Sequence, residues 1–260
     1  MNTLIIDSNN SVTTITLNRP KVHNAINDDM IKELNTALDI IHADALCRVV
    51  VINANGKCFC AGADLNWMGK MKNLSVEENY ADAHELARML QTLYHLNKPV
   101  IAKVEGPVYG GGIGLLSCCD MVIAADTTQF CLSEVKLGMT PAVISPYVIN
   151  AIGIRAARRY FVTAETIDAS TAKTLGLVHE VVTAKAMDTT IDSYCQRLLQ
   201  NSPEAMALAK ELSMIAGRGP IDQRMINAVS QRLAVERVSE HGQEGLNAFL
   251  EKRKPNWINE

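Results

Sequence analysis

Apolar and polar residues alternate along Val12-Thr13-Thr14-Ile15-Thr16-Leu17, and the run closes at Asn18-Arg19-Pro20. Period-two alternation ended by turn residues predicts a strand followed by a turn. Leu4-Ile5-Ile6-Asp7 reads as a strand ahead of it. Asn27-Asp28-Asp29 then offers an N-cap and an acidic first turn, and Met30, Ile31, Leu34, Leu38 and Ile41 fall on one side of the helix that follows. Val49-Val50-Val51-Ile52 is apolar without interruption, as expected of a strand covered on both faces. After a helix predicted over about 79–96, Pro99-Val100-Ile101-Ala102-Lys103-Val104 repeats that signal, and Met121-Val122-Ile123-Ala124 repeats it again. Beyond about residue 145 strand signals nearly vanish, and helical patterns run over about 154–161, 187–199, 203–215, 221–240 and 242–252. The fold class expected is α/β, with a core over 1–200 and a helical C-terminal region over 201–260.

Composition narrows the function classes. The chain has 260 residues, 48% apolar and 20% charged, ordinary values for a protein with a real core. A net charge of −3 argues against nucleic acid as the main partner, because phosphate backbones need a basic face. No apolar run is long enough to span a bilayer, and the start lacks the basic-then-apolar pattern of a signal peptide. The 7 cysteines are odd in number and fit no zinc spacing; they read as reduced, mostly buried thiols. These features predict a cytoplasmic protein with no metal, no membrane and no nucleic acid.

Three segments could carry chemistry. Phe59-Cys60-Ala61-Gly62-Ala63-Asp64 follows a buried strand, and its small residues would let a ligand approach the backbone. Asp64 could cap the next helix; the plain alternative is a glycine-containing strand-to-helix turn. Gly106-Pro107-Val108-Tyr109-Gly110-Gly111-Gly112-Ile113-Gly114 is harder to explain as scaffolding, since a glycine run weakens a helix. It lacks the third glycine of a dinucleotide loop and the Lys-Ser or Lys-Thr of a P-loop. What remains is a helix N-terminus whose backbone N–H groups face an oxyanion. Glu134, within Cys131-Leu132-Ser133-Glu134-Val135, sits among apolar residues that would raise its pKa and suit it to move protons. Its alternative role is a surface glutamate at a helix start. No G-x-S-x-G elbow is present, His23 falls in no catalytic motif, and Cys118-Cys119 lies in an apolar run.

In this order, the segments resemble the crotonase, or enoyl-CoA hydratase and isomerase, superfamily. Asn18-Arg19-Pro20-Lys21-x-x-Asn24-Ala25 is similar to its N-terminal turn. Cys60 to Leu65 is similar to its first oxyanion segment, Gly106 to Asp120 to its second, and the stretch from Phe249 to Trp257 to its C-terminal signature. The resemblance covers nearly the whole chain. It implies a spiral of ββα turns with a helical C-terminal region that forms trimers or dimers of trimers. It implies an acyl-CoA thioester as substrate, with coenzyme A part of that substrate and no separate cofactor. By position, the backbone N–H groups of Ala63 and Gly111 would form the oxyanion hole, flanked by Gly110. Ala61, Gly62, Asp64, Leu65 and Trp67 would line the CoA path, near Asn24 and Ala25. Lys21, Lys252 and Lys254 would meet CoA phosphates.

One departure is informative. Family hydratases usually carry paired glutamates; Glu134 matches the second, but the first falls at Gly114. Family isomerases often work with one. The stretch from Cys131 through Pro141-Ala142-Val143-Ile144-Ser145-Pro146 resembles a bacterial subgroup assigned as methylglutaconyl-CoA hydratases, which also carries glycine at the Gly114 position. The implied reaction is addition of water across the 2,3 double bond of an enoyl-CoA, of the methylglutaconyl or a related branched type. Delta-isomerisation with one glutamate, or CoA-ester binding without turnover, are the alternatives. Gly114 is expected to leave open space for an acyl branch or a water, and Pro141 to shape the acyl pocket.

Overall fold

The computed structural model of the chain describes residues 1–217 and 219–258. β1 (Leu4–Asn9) and β2 (Val12–Leu17) pair antiparallel across a two-residue turn. Asn10 and Ser11 in that turn both have positive φ, 48° and 63°, the geometry that matches the twist of a tight hairpin. α1 (Asp28–Ala43) follows, capped by Asn27, whose side chain accepts from the Met30 N–H. β3 (Val49–Ala54) then pairs parallel with β2.

Next come α2 (Leu65–Met71), α3 (Val76–Tyr94), β4 (Val100–Val104), β5 (Val108–Tyr109), α4 (Gly111–Ser117), β6 (Met121–Ala125) and β7 (Gln129–Cys131). α5 (Ser145–Thr163), β8 (Ile167–Asp168), α6 (Ala169–Leu175), β9 (Glu180–Val182) and α7 (Met187–Leu199) complete the core. The main sheet has the order β1-β2-β3-β4-β6-β9, parallel from β2 onward. Its central strands are apolar throughout because both faces are covered. Val50, Ile52, Val100, Ala102 and Val122 meet the large core under α1 and α3, while Val49, Val51, Ile101 and Ile123 meet Met187, Ile191 and Cys195 of α7.

A second layer is built from much shorter pieces. β5, β7 and β8 form a three-stranded sheet, and single bridges join Ile26 to Ala63 and Cys60 to Val108. Successive turns of the chain therefore run from a long main-sheet strand to a short second-layer segment and then to a helix. This is the ββα spiral expected, and it brings the segments around residues 26, 63, 110 and 131 side by side.

α8 (Pro203–Ala216), α9 (Gln223–Val238) and α10 (Glu240–Leu250) follow. α8 and α9 bury no residue, and α10 buries Ala248. Polar contacts fasten this region to the core. Lys210 of α8 pairs with the Asp120 carboxylate at 2.8 Å, and Arg48 donates to the carbonyls of Leu199, Asn201 and Trp257.

Two expectations need correction. Strand signals nearly vanish beyond residue 145, yet two short strands, β8 and β9, lie there. They have two and three residues, too few for a period to register, and pairing with β7 and β6 rather than local pattern makes them strands. The helix expected over 154–161 is the second half of α5, which starts at Ser145 and breaks at Gly153, where φ is 74° and ψ is 154°.

Candidate active site

The turn after β3 is held by two interlocking sets of bonds. Asn24, fully buried and at positive φ, accepts from the Arg19 N–H at 2.8 Å and donates to the carbonyls of Asn55 and Cys58. Arg19 donates to the Ala25 carbonyl and pairs with Asp64 at 2.9 Å. Asp64 also accepts from the N–H groups of Asn66 and Trp67, capping α2. Burial works to raise the Asp64 pKa, but the Arg19 guanidinium and the two amides outweigh it and hold the carboxyl below its ordinary range. Asn24, the Ala25 carbonyl and Asp64 thus brace the turn, and the polar side chains of Asn24 and Asp64 are engaged inside the protein.

This bracing orients Ala63. The Gly62 carbonyl accepts from the Ile26 N–H at 2.7 Å, and the Asp64 N–H donates to the Ile26 carbonyl at 2.8 Å. The Gly62 carbonyl and the Ala63 N–H belong to one trans peptide and point in opposite directions, so the Ala63 N–H faces away from Ile26. Gly111 opens α4, where the first N–H groups of a helix have no partner within it. Gly110, ahead of it, has φ 47° and ψ −115°, a conformation that a side chain resists. A Cβ built there would stand 3.1 Å from the Glu134 Oε1 and 3.9 Å from the Gly62 Cα. Gly110 therefore lies between the Ala63 turn and Glu134, with all three in close approach.

Glu134 begins a short 3-10 turn after β7. Its Oε2 is buried with no hydrogen-bond partner. Burial pushes its pKa up, as expected of a carboxyl among apolar groups with no cation beside it. Ala63, Gly111 and Glu134 line one cavity of about 350 Å³. Trp67 and Pro141 line it as well, together with Met71, Leu86 and Ile144.

The remaining candidates lie outside that lining. Ala61 and Gly62 are in the braced turn, where the Ala61 N–H donates to the His23 carbonyl. Leu65 is exposed at the start of α2. Lys21 is exposed on the turn before α1, and Lys254 is exposed in the tail that Arg48 and Gln200 anchor through Trp257. Gly114 does not leave open space. A Cβ there would be 2.3 Å from Cγ2 of Ile144, so the Ile144 side chain occupies the region where a longer residue would project. The missed residues are Ile144 and Asp82. Asp82 lines the cavity from α3 and accepts from the Trp67 indole N–H at 3.2 Å. Fifteen positions separate these two, and no motif links them.

A small-residue turn and a glycine-opened helix beside a buried, unpaired glutamate match a known pattern. The profile of the enoyl-CoA hydratase/isomerase family matches residues 7–260. The chain belongs to that family. Among solved structures, an enoyl-CoA hydratase from Shewanella pealeana ATCC 700345 superposes with a TM-score of 0.95 at 45% identity, covering 98% of this chain and 96% of that one. A crotonyl-CoA hydratase of Syntrophomonas wolfei is 32% identical over 258 residues, 98% of this chain and 97% of its own. A 2,3-dehydroadipyl-CoA hydratase of Escherichia coli K12 is 33% identical, with 99% of each chain covered. The crotonase fold and the family's enzyme class are thus those of this chain. Among the described residues no helix is long and apolar enough to cross a membrane.

Proposed function

We propose that this enzyme hydrates an enoyl-CoA thioester, with Glu134 as its acid–base residue and the Ala63 and Gly111 N–H groups as its oxyanion hole. The observation that carries this reading is the convergence on one cavity of a buried, unpaired carboxylate and two backbone donors outside regular pairing. Glu134 takes a proton from water as the water oxygen bonds to C3. The double-bond electrons move toward the thioester oxygen, which the two N–H groups receive as an enolate. Glu134 then returns the proton to C2. A preorganised donor of this kind lowers the barrier by about 2.7–4 kcal/mol.

The acyl group we infer is uncharged. None of the lining residues is Lys, Arg or His, and the one amide, Asn79, donates to the carbonyls of Met71, Leu74 and Ser75. A methylglutaconyl group would bring a further carboxylate into a lining that already holds Glu134 and Asp82, without a cation to meet it. A linear or branched apolar chain fits the cavity better.

Ile144 over Gly114 favours a second reading, delta-isomerisation, because a lone carboxylate suffices to move a proton between C2 and C4. Enoyl-thioester absorbance separates these readings. Hydration of a 2-enoyl-CoA removes it, isomerisation of a 3-enoyl-CoA creates it, and a CoA-ester binder changes neither. A rise with the 3-enoyl substrate and no fall with any 2-enoyl substrate would replace the hydratase reading.

We further infer a core over 1–200 and an assembly region over 201–260. Ile226, Leu233, Val235, Val238 and Phe249 are exposed on α9 and α10, an apolar surface for neighbouring copies. Light scattering should give the mass of a trimer or of two trimers, and a stable monomer at micromolar concentration would refute it. In that assembly Lys21, Lys252 and Lys254 would serve CoA phosphates. Seven free thiols support a reducing, cytoplasmic setting.

A further inference from the structure

The cavity that holds Glu134 contains a second carboxylate, and the mechanism does not use it. Asp82 projects from α3 into the same lining. It does not swing freely, because its Oδ1 accepts from Nε1 of Trp67 at 3.2 Å. Trp67 is itself buried, and its backbone N–H donates to Asp64, the cap of α2. The indole is thus held at its backbone by a braced turn and at its edge by Asp82. No cation shares the lining, and burial pushes the Asp82 pKa up; the Trp67 hydrogen bond opposes the rise, the nearby Asp28 charge adds to it, and the Lys32 charge outside the lining opposes it. The rest of the α2 and α3 wall is Met68, Met71, Ala83 and Leu86. An acyl chain laid along this wall meets apolar surface and one fixed negative group.

We propose that Asp82, held by the Trp67 indole, is a specificity residue that makes the acyl cavity reject chains ending in a carboxylate. The inference rests on the reading of this cavity as the acyl site. A desolvated anion beside a fixed anion is doubly disfavoured, by loss of water and by repulsion in a medium of low dielectric. An uncharged chain of the same length meets neither cost. Discrimination of this sort comes from a repulsive element built into the pocket as much as from attraction to the preferred ligand.

The test uses two saturated thioesters that differ in one terminal group, pentanoyl-CoA with a methyl and glutaryl-CoA with a carboxylate. Their dissociation constants on the full-length enzyme are measured by calorimetry, which needs no turnover. Wild type should bind pentanoyl-CoA at least about tenfold more tightly, the scale of an unfavourable charge contact. Asp82→Asn keeps an oxygen for the indole N–H and removes the charge. It should narrow the gap by about fivefold or more, by tightening glutaryl-CoA while leaving pentanoyl-CoA within about twofold. Trp67→Phe frees the carboxylate and should narrow the gap less. An unchanged gap in Asp82→Asn would overturn the inference, as would a gap that closes through weaker pentanoyl-CoA binding, the mark of a merely structural role. Failure to hydrate any enoyl-CoA would instead overturn the proposed reaction, and the binding comparison would still be read.

Discussion

The turn that carries Asp64 and the turn that carries Glu134 belong to the same second layer, yet the fold treats their carboxylates in opposite ways. Asp64 is paired with Arg19, caps α2 and is held below its ordinary pKa. Glu134 keeps one oxygen buried without a partner and is pushed above its ordinary pKa. The first arrangement adds stability and leaves no reactivity. The second costs stability and leaves a carboxylate whose proton is free to move. Gly110, in a conformation that a side chain would resist, stands between them and permits the close approach.

The sharpest way to break this comparison is Glu134→Gln. The amide keeps the shape and cannot shuttle a proton, so kcat should fall by about 10²–10⁴-fold. Thermal melting should show a variant at least as stable as wild type at neutral pH. Retention of more than about a tenth of the activity would remove Glu134 from the chemistry.

Gly110→Ala tests the middle of the comparison. It imposes a positive φ on a side-chain-bearing residue and sets a Cβ 3.1 Å from the Glu134 Oε1. The expected loss is about 10²-fold in kcat/KM from displaced groups, with about 1–3 kcal/mol of stability. Chemical denaturation and steady-state kinetics on the same preparation measure both. Asp64→Ala should show the reverse balance, with about 1–3 kcal/mol lost from the cap and from the unpaired Arg19, and less than about tenfold in kcat per folded molecule.

The smallest expected effects are those of pH, and they differ in sign. Glu134 has a raised folded pKa, so its contribution to stability declines as pH rises from the ordinary carboxylate pKa through the raised one. Over that window Glu134→Gln should gain stability relative to wild type. Asp64 has a depressed folded pKa, so its contribution is present above the ordinary carboxylate pKa and is lost as pH falls through the depressed one. Asp64→Ala should lack that acid loss. With Glu134 as the proposed base, kcat/KM should fall as pH drops through a pKa above the ordinary glutamate range. Unfolding curves and rate profiles across pH check each of these signs.

Much of this was legible along the chain. The apolar runs of β3, β4 and β6 are continuous because those strands are covered twice, and that signal is local. Asn27 and Asp64 sit at helix starts, and capping chemistry is also local. The small residues at 61–63 and 110–112, with Glu134 among apolar neighbours, singled out segments from which Ala63, Gly111 and Glu134 come to line one cavity. What sequence could not decide was contact between segments. The space beside Gly114 depends on Ile144, thirty positions away, whose side chain fills it. Asp82 became a cavity residue when α3 folded back over Trp67. β8 and β9 are strands because partners accept them. Local spacing determines period, caps and turns, because those depend on the nearest few residues. Cavity walls, unpaired atoms and raised pKa values depend on what the chain brings near from far away, and tertiary packing alone decides that.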